Sequence, residues 1–321
     1  MTTLLGNIVS AISLAALSLA ATAPHAQEAA WPAKTYYRYQ EVDGQRIFYR
    51  EAGDPKAPAI LLLHGFPTTS HAYRELIPLL SGRYHVIAPD YLGSGHSAKP
   101  DPDAAPYTFD RLAASVNGLV ESLGIDRYVI YMHDFGGPVG MRVLLAHPER
   151  VRGIVVQNAN AYVEGLGTGR EAFFRKAHDD RSKEMVAALT ARLGHDPIAG
   201  TQYLRDVKGH EDAISPDTWT SDLDFLQTDA EKKIQVQLFQ DYWNNILAYP
   251  KWQSFLREHQ PPALIVWGRN DPVFTAPGAE AYLRDIPKAE LHLLDAGHFA
   301  VEERPVEIAR HMVRFMERIP R

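Results

Sequence analysis

The sequence predicts an α/β fold: a mostly parallel central sheet with helices on both faces and an inserted helical lid. Three observations carry this reading. Short, unbroken apolar runs such as Ala59-Ile-Leu-Leu-Leu63 and Pro262-Ala-Leu-Ile-Val-Trp267 have the pattern of strands buried on both faces. Segments with helical apolar spacing alternate with those runs, which implies parallel strands joined by crossover helices. The alternation stops once, between Tyr162 and about Leu256, where the spacing is mostly helical. The predicted organisation is a core over 34–161 and 257–321 with a lid over 162–256. At 321 residues and 45% hydrophobic, the chain can bury a large core.

In chain order, Leu4 to Ala21 is apolar or small and uncharged, followed by an alanine-rich stretch to Gln27. We read 1–26 as a secretory signal peptide, although its start lacks Lys and Arg, and expect an exported, periplasmic or secreted protein. The alternative is a membrane anchor, since the run is close to spanning length. Strands are expected at Arg46–Tyr49, Ala59–Leu63, Tyr84–Ala88, Tyr128–Met132, Arg152–Val156, Pro262–Trp267 and Leu291–Leu294. Helices are expected at Ala72–Leu80, Asp110–Leu123, Val139–Leu145, Gly278–Asp285 and Pro305–Met316. The net charge of −6 without a basic stripe argues against nucleic acid as a partner. The chain has no cysteine, which excludes disulfides, thiolate metal sites and a Cys nucleophile. With no dinucleotide fingerprint or metal-ligand motif in the sequence, we expect no cofactor.

The chemistry concentrates where strands end. Tyr128–Met132 breaks into His133-Asp134-Phe135-Gly136-Gly137 and then a helix, the layout of a nucleophile elbow. Asp134 occupies the nucleophile position. A carboxylate needs no deprotonation before it attacks an alkyl carbon and forms an ester. Asp271 follows a later strand, and His298 follows the next one. Hydrolysis of the ester needs His298 to deprotonate water and Asp271 to orient the imidazole and stabilise its charge. His64-Gly65-Phe66-Pro67 follows the Ala59–Leu63 strand, so the backbone N–H groups of Phe66 and Phe135 are candidates for an oxyanion hole. Taken singly, each of these residues has a plainer explanation as a turn, cap or loop residue. Their joint occurrence after separate strands, in this order, favours chemistry.

His64-Gly-Phe-Pro67, His133-Asp-Phe-Gly-Gly137, Gly268-x-x-Asp271 and Gly297-His298 together resemble the aspartate-nucleophile branch of the α/β hydrolases. That branch includes soluble epoxide hydrolases, haloalkane dehalogenases and fluoroacetate dehalogenases. The resemblance covers roughly Tyr36 to the C-terminus and implies a small apolar substrate, an epoxide or an organohalide, together with water. Dehalogenases of the branch commonly hold halide with a Trp after the nucleophile, where this chain has Phe135. Many carry Asn where it has Phe66, and in some the triad acid sits near Asn158 and Asn160, neither of which is a carboxylate. No arginine directly follows Asp134, as the fluoroacetate group would require, and Arg142 lies two helical turns on. An epoxide needs an acid for its leaving oxygen, and Tyr242 in Phe239-Gln-Asp-Tyr-Trp243 resembles a lid tyrosine in that role. Tyr162 and Tyr203 are candidates for a second acid. Trp219, Trp243 and Trp252 either line the pocket or fill the lid. The leading expectation is epoxide opening to a diol, with dehalogenation second and a non-catalytic ligand-binding protein third.

Overall fold

The computed structural model of the protein describes residues 33–207 and 209–319. The expected signal peptide over 1–26 lies outside them.

The described residues form an eight-stranded sheet: β1 (Tyr36–Val42), β2 (Gln45–Ala52), β3 (Ala59–Leu63), β4 (His85–Pro89), β5 (Tyr128–His133), β6 (Val151–Gln157), β7 (Ala263–Gly268) and β8 (Glu290–Leu294). The spatial order is β1-β2-β4-β3-β5-β6-β7-β8. β2 runs antiparallel to β1 and β4, and β3 to β8 pair in parallel. The apolar runs are continuous because alternate side chains serve opposite faces. Leu61, Leu63, Ile130, Met132, Val156 and Ile265 join one core cluster. Ile60, Leu62, Val129, Tyr131, Val155 and Leu264 join the other.

Helices α1 (Leu76–Ser81), α2 (Phe109–Ser122) and α3 (Gly136–Ala146) connect the strands of the first half. The lid region contains α4 (Arg170–Asp179), α5 (Lys183–Thr190), α6 (Asp217–Asp224) and α7 (Asp229–His259), and the C-terminal part contains α8 (Ala276–Asp285), α9 (Ala300–Glu303) and α10 (Pro305–Arg318). The 31-residue α7 starts from a capping box, in which Thr228 and Glu231 satisfy each other's backbone N–H groups. It runs to His259, so the boundary expected at 256 falls inside a helix. α7 is fastened to the core by polar contacts: Asp241 accepts from the Phe109 N–H at 2.8 Å, and Asn245 accepts from Arg142 at 2.8 Å. Arg142 also pairs with Asp110, which makes it a structural tie.

Two features differ from expectation. β1, with sequence Tyr-Tyr-Arg-Tyr-Gln-Glu-Val, is mostly exposed and reads as polar; it forms by edge pairing with β2. The helix expected over Ala72–Leu80 is split into a 3-10 turn at Ser70–Tyr73 and the short α1. Among the described residues, no helix is long and apolar enough to cross a membrane.

The chain steps from β3 to β4 on one side and to β5 on the other. The sheet order therefore reverses beside β3, and a crevice opens at the carboxyl ends of the strands.

Candidate active site

β3 and β5 are direct neighbours, with Leu63 paired to Met132. The segments that follow them, Phe66 and Asp134, therefore meet. Asp134 has φ 50°, the left-handed conformation of a sharp elbow. The elbow tolerates no side chain at Gly136, whose added Cβ would lie 2.2 Å from the Leu63 carbonyl oxygen. The Phe66 N–H donates to Asp134 Oδ1 at 2.6 Å. The other carboxylate oxygen, Oδ2, lies 3.6 Å from His298 Nε2. One oxygen is thus held by a backbone dipole while the other faces the imidazole and the crevice.

β7 and β8 deliver the remaining groups. His298 Nδ1 lies 2.6 Å from Asp271 Oδ2, and both residues are buried. Asp271 Oδ2 also accepts from Asn158 Nδ2 at 2.9 Å, and Oδ1 accepts from the N–H groups of Val273 and Phe274 at 2.7 and 3.1 Å. Burial would raise the Asp271 carboxyl, but the His298 charge and these donors outweigh it and hold it below the usual range. Burial alone would lower the His298 imidazole; Asp271 and then Asp134 raise it to about 10. The three residues named from separate strands are therefore brought together in one arrangement.

Asn158, Gln157 and His133 support this arrangement and were not singled out in the sequence for that purpose. Asn158, excluded above as an acid, orients the acid: it donates to Asp271 and exchanges hydrogen bonds with the Gly268 backbone. Gln157 Nε2 donates to the His298 carbonyl at 3.1 Å, and the Tyr131 hydroxyl donates to Gln157 Oε1. His133 lies 3.0 Å, through Nε2, from the same carbonyl. Burial, followed by the charge of His298, lowers the His133 imidazole to about 3, so it is neutral and serves as a donor there.

The crevice wall is aromatic. Phe66 packs on Phe135 and Phe239, and Phe135 packs on Phe109 and Tyr242. Tyr242 is fully buried, stacked on Phe174 at 3.9 Å and 5.7 Å from the Phe135 ring. Its hydroxyl faces that of Tyr249, two turns further along the same face of α7, and among the described residues neither phenol has any other hydrogen-bond partner. Burial raises both phenols; each also feels the other and the charge of Asp134. The i, i+7 spacing of Tyr242 and Tyr249 is visible in the sequence, but Pro250 beside Tyr249 gave no sign that the helix continues.

Three lid residues expected near the substrate are placed elsewhere. The Tyr162 hydroxyl is committed to Asp285 at 2.7 Å, on α8. Tyr203 donates to the buried Asp222 and stacks on Phe299 within a separate small cluster. Trp243, next to Tyr242, points about 100° away from it around α7 and lies half-buried at the edge of the main core, with the Arg175 guanidinium 5.9 Å from its ring. Trp252 is buried against Tyr249, and Trp219 packs against Tyr203. Asp295 accepts from Asn270 in an exposed turn. Glu290, His292 and His311 bring metal-type donor atoms within 4.8 Å of one another, but at the opposite, amino end of β8 from His298.

The family model for the alpha/beta hydrolase fold matches residues 58–305. The chain is 40% identical over 283 residues to "Uncharacterized hydrolase YNR064C" of Saccharomyces cerevisiae, covering 87% of this chain and 96% of that protein. It is 30% identical over 279 residues to "Haloalkane dehalogenase 2" of Mycobacterium tuberculosis, covering 84% and 90%. Similar solved structures include the haloalkane dehalogenase DbeA of Bradyrhizobium elkani, with TM-score 0.76, 22% identity and coverage of 88% and 98%. The epoxide hydrolase CorEH matches with TM-score 0.71, 19% identity and coverage of 88% and 99%. With the fold, the elbow and these matches in place, the chain belongs to the α/β-hydrolase family, in the branch whose nucleophile is an aspartate, and it is a hydrolase.

Proposed function

We propose that the protein opens an epoxide to a vicinal diol through an ester on Asp134. Asp134 Oδ2 attacks a ring carbon, the ring C–O bond breaks, and the leaving oxygen takes a proton from Tyr242. His298 then takes a proton from water, and the resulting hydroxide adds to the ester carbonyl carbon. The Phe66 and Phe135 N–H groups hold the oxyanion on Oδ1, the only position consistent with the 2.6 Å resting contact. Collapse breaks the bond between the ester carbonyl carbon and the alkyl oxygen, the leaving alkoxide takes the proton held by His298 to give the diol, and the acid proton left on Asp134 returns to the Tyr242 phenolate. Ester formation also removes one of the two carboxylate charges that hold a proton on His298, which favours its neutral form when the base is needed.

The observation that carries the choice of epoxide is the pair of buried hydroxyls, Tyr242 and Tyr249, which face each other beside an aromatic wall and have no other hydrogen-bond partner among the described residues. In such a pair one O–H can donate to the other phenol while the second lacks an acceptor, which is costly when buried, and an incoming epoxide oxygen would supply it. The second reading, halide displacement, is favoured by the 30% identical dehalogenase. Against it stand Phe135 and Phe66, whose side chains offer no N–H to a halide. We further propose that the mature chain is exported; N-terminal sequencing of the protein recovered outside the cytoplasm would check this.

The deciding experiment compares styrene-type oxides with short chloro- and bromoalkanes, together with one turnover in heavy-oxygen water. Diol formation with the label entering Asp134 is expected. Halide release without diol formation would reverse the substrate ranking, and label passing directly into product would overturn the ester.

A further inference from the structure

Arg170 and Arg192 stand out among the lid cations. Arg175, Arg205 and Arg257 pair with Asp179, Asp206 and Asp285. Arg170 and Arg192 are half-buried, and neither has a carboxylate within ion-pair distance among the described residues. Both are carried by lid residues that abut the candidate site. Arg170 opens α4 just after Leu166, which bridges to Phe274, and Gly167, whose N–H donates to the Val273 carbonyl at 2.9 Å. The Phe274 ring lies 5.6 Å from that of His298. The Arg192 guanidinium lies 4.6 Å over Phe173, whose ring is 6.3 Å from Phe239, itself 4.8 Å from Phe66.

Burial, and then the charges of Arg192 and Arg205, disfavour the charged Arg170; Asp271 and Asp134 oppose them. Those two carboxylates are already engaged with His298. The lid thus holds two guanidiniums that lose hydration and repel each other without a counter-ion of their own, the electrostatic signature of an anion site.

We propose that Arg170 and Arg192 bind a carboxylate on the substrate, so that the epoxide turned over is that of an organic acid. This inference rests on the epoxide reading above. The planar fork of a guanidinium suits a carboxylate. The nearby Asp134 and Asp271 charges disfavour a dianion such as a phosphate monoester. The anionic group would anchor the far end of the molecule while the aromatic wall holds the carbon chain and brings the ring to Asp134.

The test uses a matched pair, 3-phenylglycidate and its neutral amide, and reads the ratio of their kcat/KM values. Wild type should prefer the acid by at least about tenfold, the scale of a charged hydrogen bond. Arg170→Gln or Arg192→Gln should reduce that ratio by a similar factor. A wild-type ratio near one, or turnover of styrene oxide but not of the acid, overturns the inference and leaves the epoxide reading standing. If no epoxide is turned over, the epoxide reading fails. Titration calorimetry of 3-phenylpropionate with Asp134→Asn then decides the subsite separately: binding that weakens on adding either arginine substitution sustains it, and no binding removes it.

Discussion

His133 Nε2 donates to the backbone carbonyl of His298 across 3.0 Å, linking the elbow to the loop that carries the candidate base. Glycine is usual at this first position of the elbow pattern, and the imidazole here bridges β5 to the loop that follows β8. His133→Ala should therefore loosen the His298 loop. A lost buried hydrogen bond costs about 1–3 kcal/mol, with a further contribution from the void. Denaturant unfolding would measure this, with a fall in kcat larger than any change in KM.

Removing His298 should separate the two chemical steps. His298→Gln should still form the ester and then fail to hydrolyse it. Intact-protein mass spectrometry after mixing with a substrate should show the protein heavier by one substrate molecule. Asp134→Asn should show no adduct.

Tyr242→Phe should move activity far more than stability, and Tyr249→Phe should leave the fold near its wild-type stability. Each removes a buried hydroxyl whose one facing partner among the described residues is the other phenol, so the change in stability should stay within about 1 kcal/mol. Tyr242→Phe should lower kcat for epoxides by about 10²-fold, the scale of general acid catalysis. Loss of stability together with unchanged kcat would assign these residues to packing alone.

Asn158→Ala should act through Asp271, which loses its 2.9 Å donor. A fall in kcat of about tenfold with unchanged KM is expected from a misoriented acid, read by steady-state kinetics.

The imidazole of His298 is raised from 6.5 to about 10 in the fold. The stability this contributes is fully present below about pH 6.5 and is lost as pH rises toward about 10, because the folded state holds a proton that the unfolded state releases first. Melting temperatures of wild type and His298→Gln should therefore converge between pH 6.5 and 10. A gap that widens over that range would contradict the charged state.

Much of the site was legible because chemistry forces residue types onto strand ends. Asp134 and Asp271 follow buried apolar runs, His298 follows the half-buried edge strand β8, and a parallel sheet admits one crevice for such ends. The lid was harder to read. Tyr162, Tyr203, Tyr242 and Tyr249 all lie on locally similar polar and apolar backgrounds. Hydroxyls differ in function only through their partners, and Asp285 and Asp222 lie 123 and 19 residues from the tyrosines they accept from. Asn158 was read correctly as unable to be the acid, yet its role as the donor that holds the acid depends on β6 and β7 pairing in register.

The sequence by itself determined the fold class, the elbow and the order of nucleophile, acid and histidine, because apolar periodicity and strand-end residues are local properties of the chain. Only the tertiary structure decided that Tyr162 and Tyr203 are committed to carboxylates while Tyr242 and Tyr249 are not, that Asn158, Gln157 and His133 brace Asp271 and His298, and that Arg170 and Arg192 have no counter-ion among the described residues. Those are questions of which distant groups satisfy each other, and hydrogen bonds and ion pairs are settled by packing rather than by residue type.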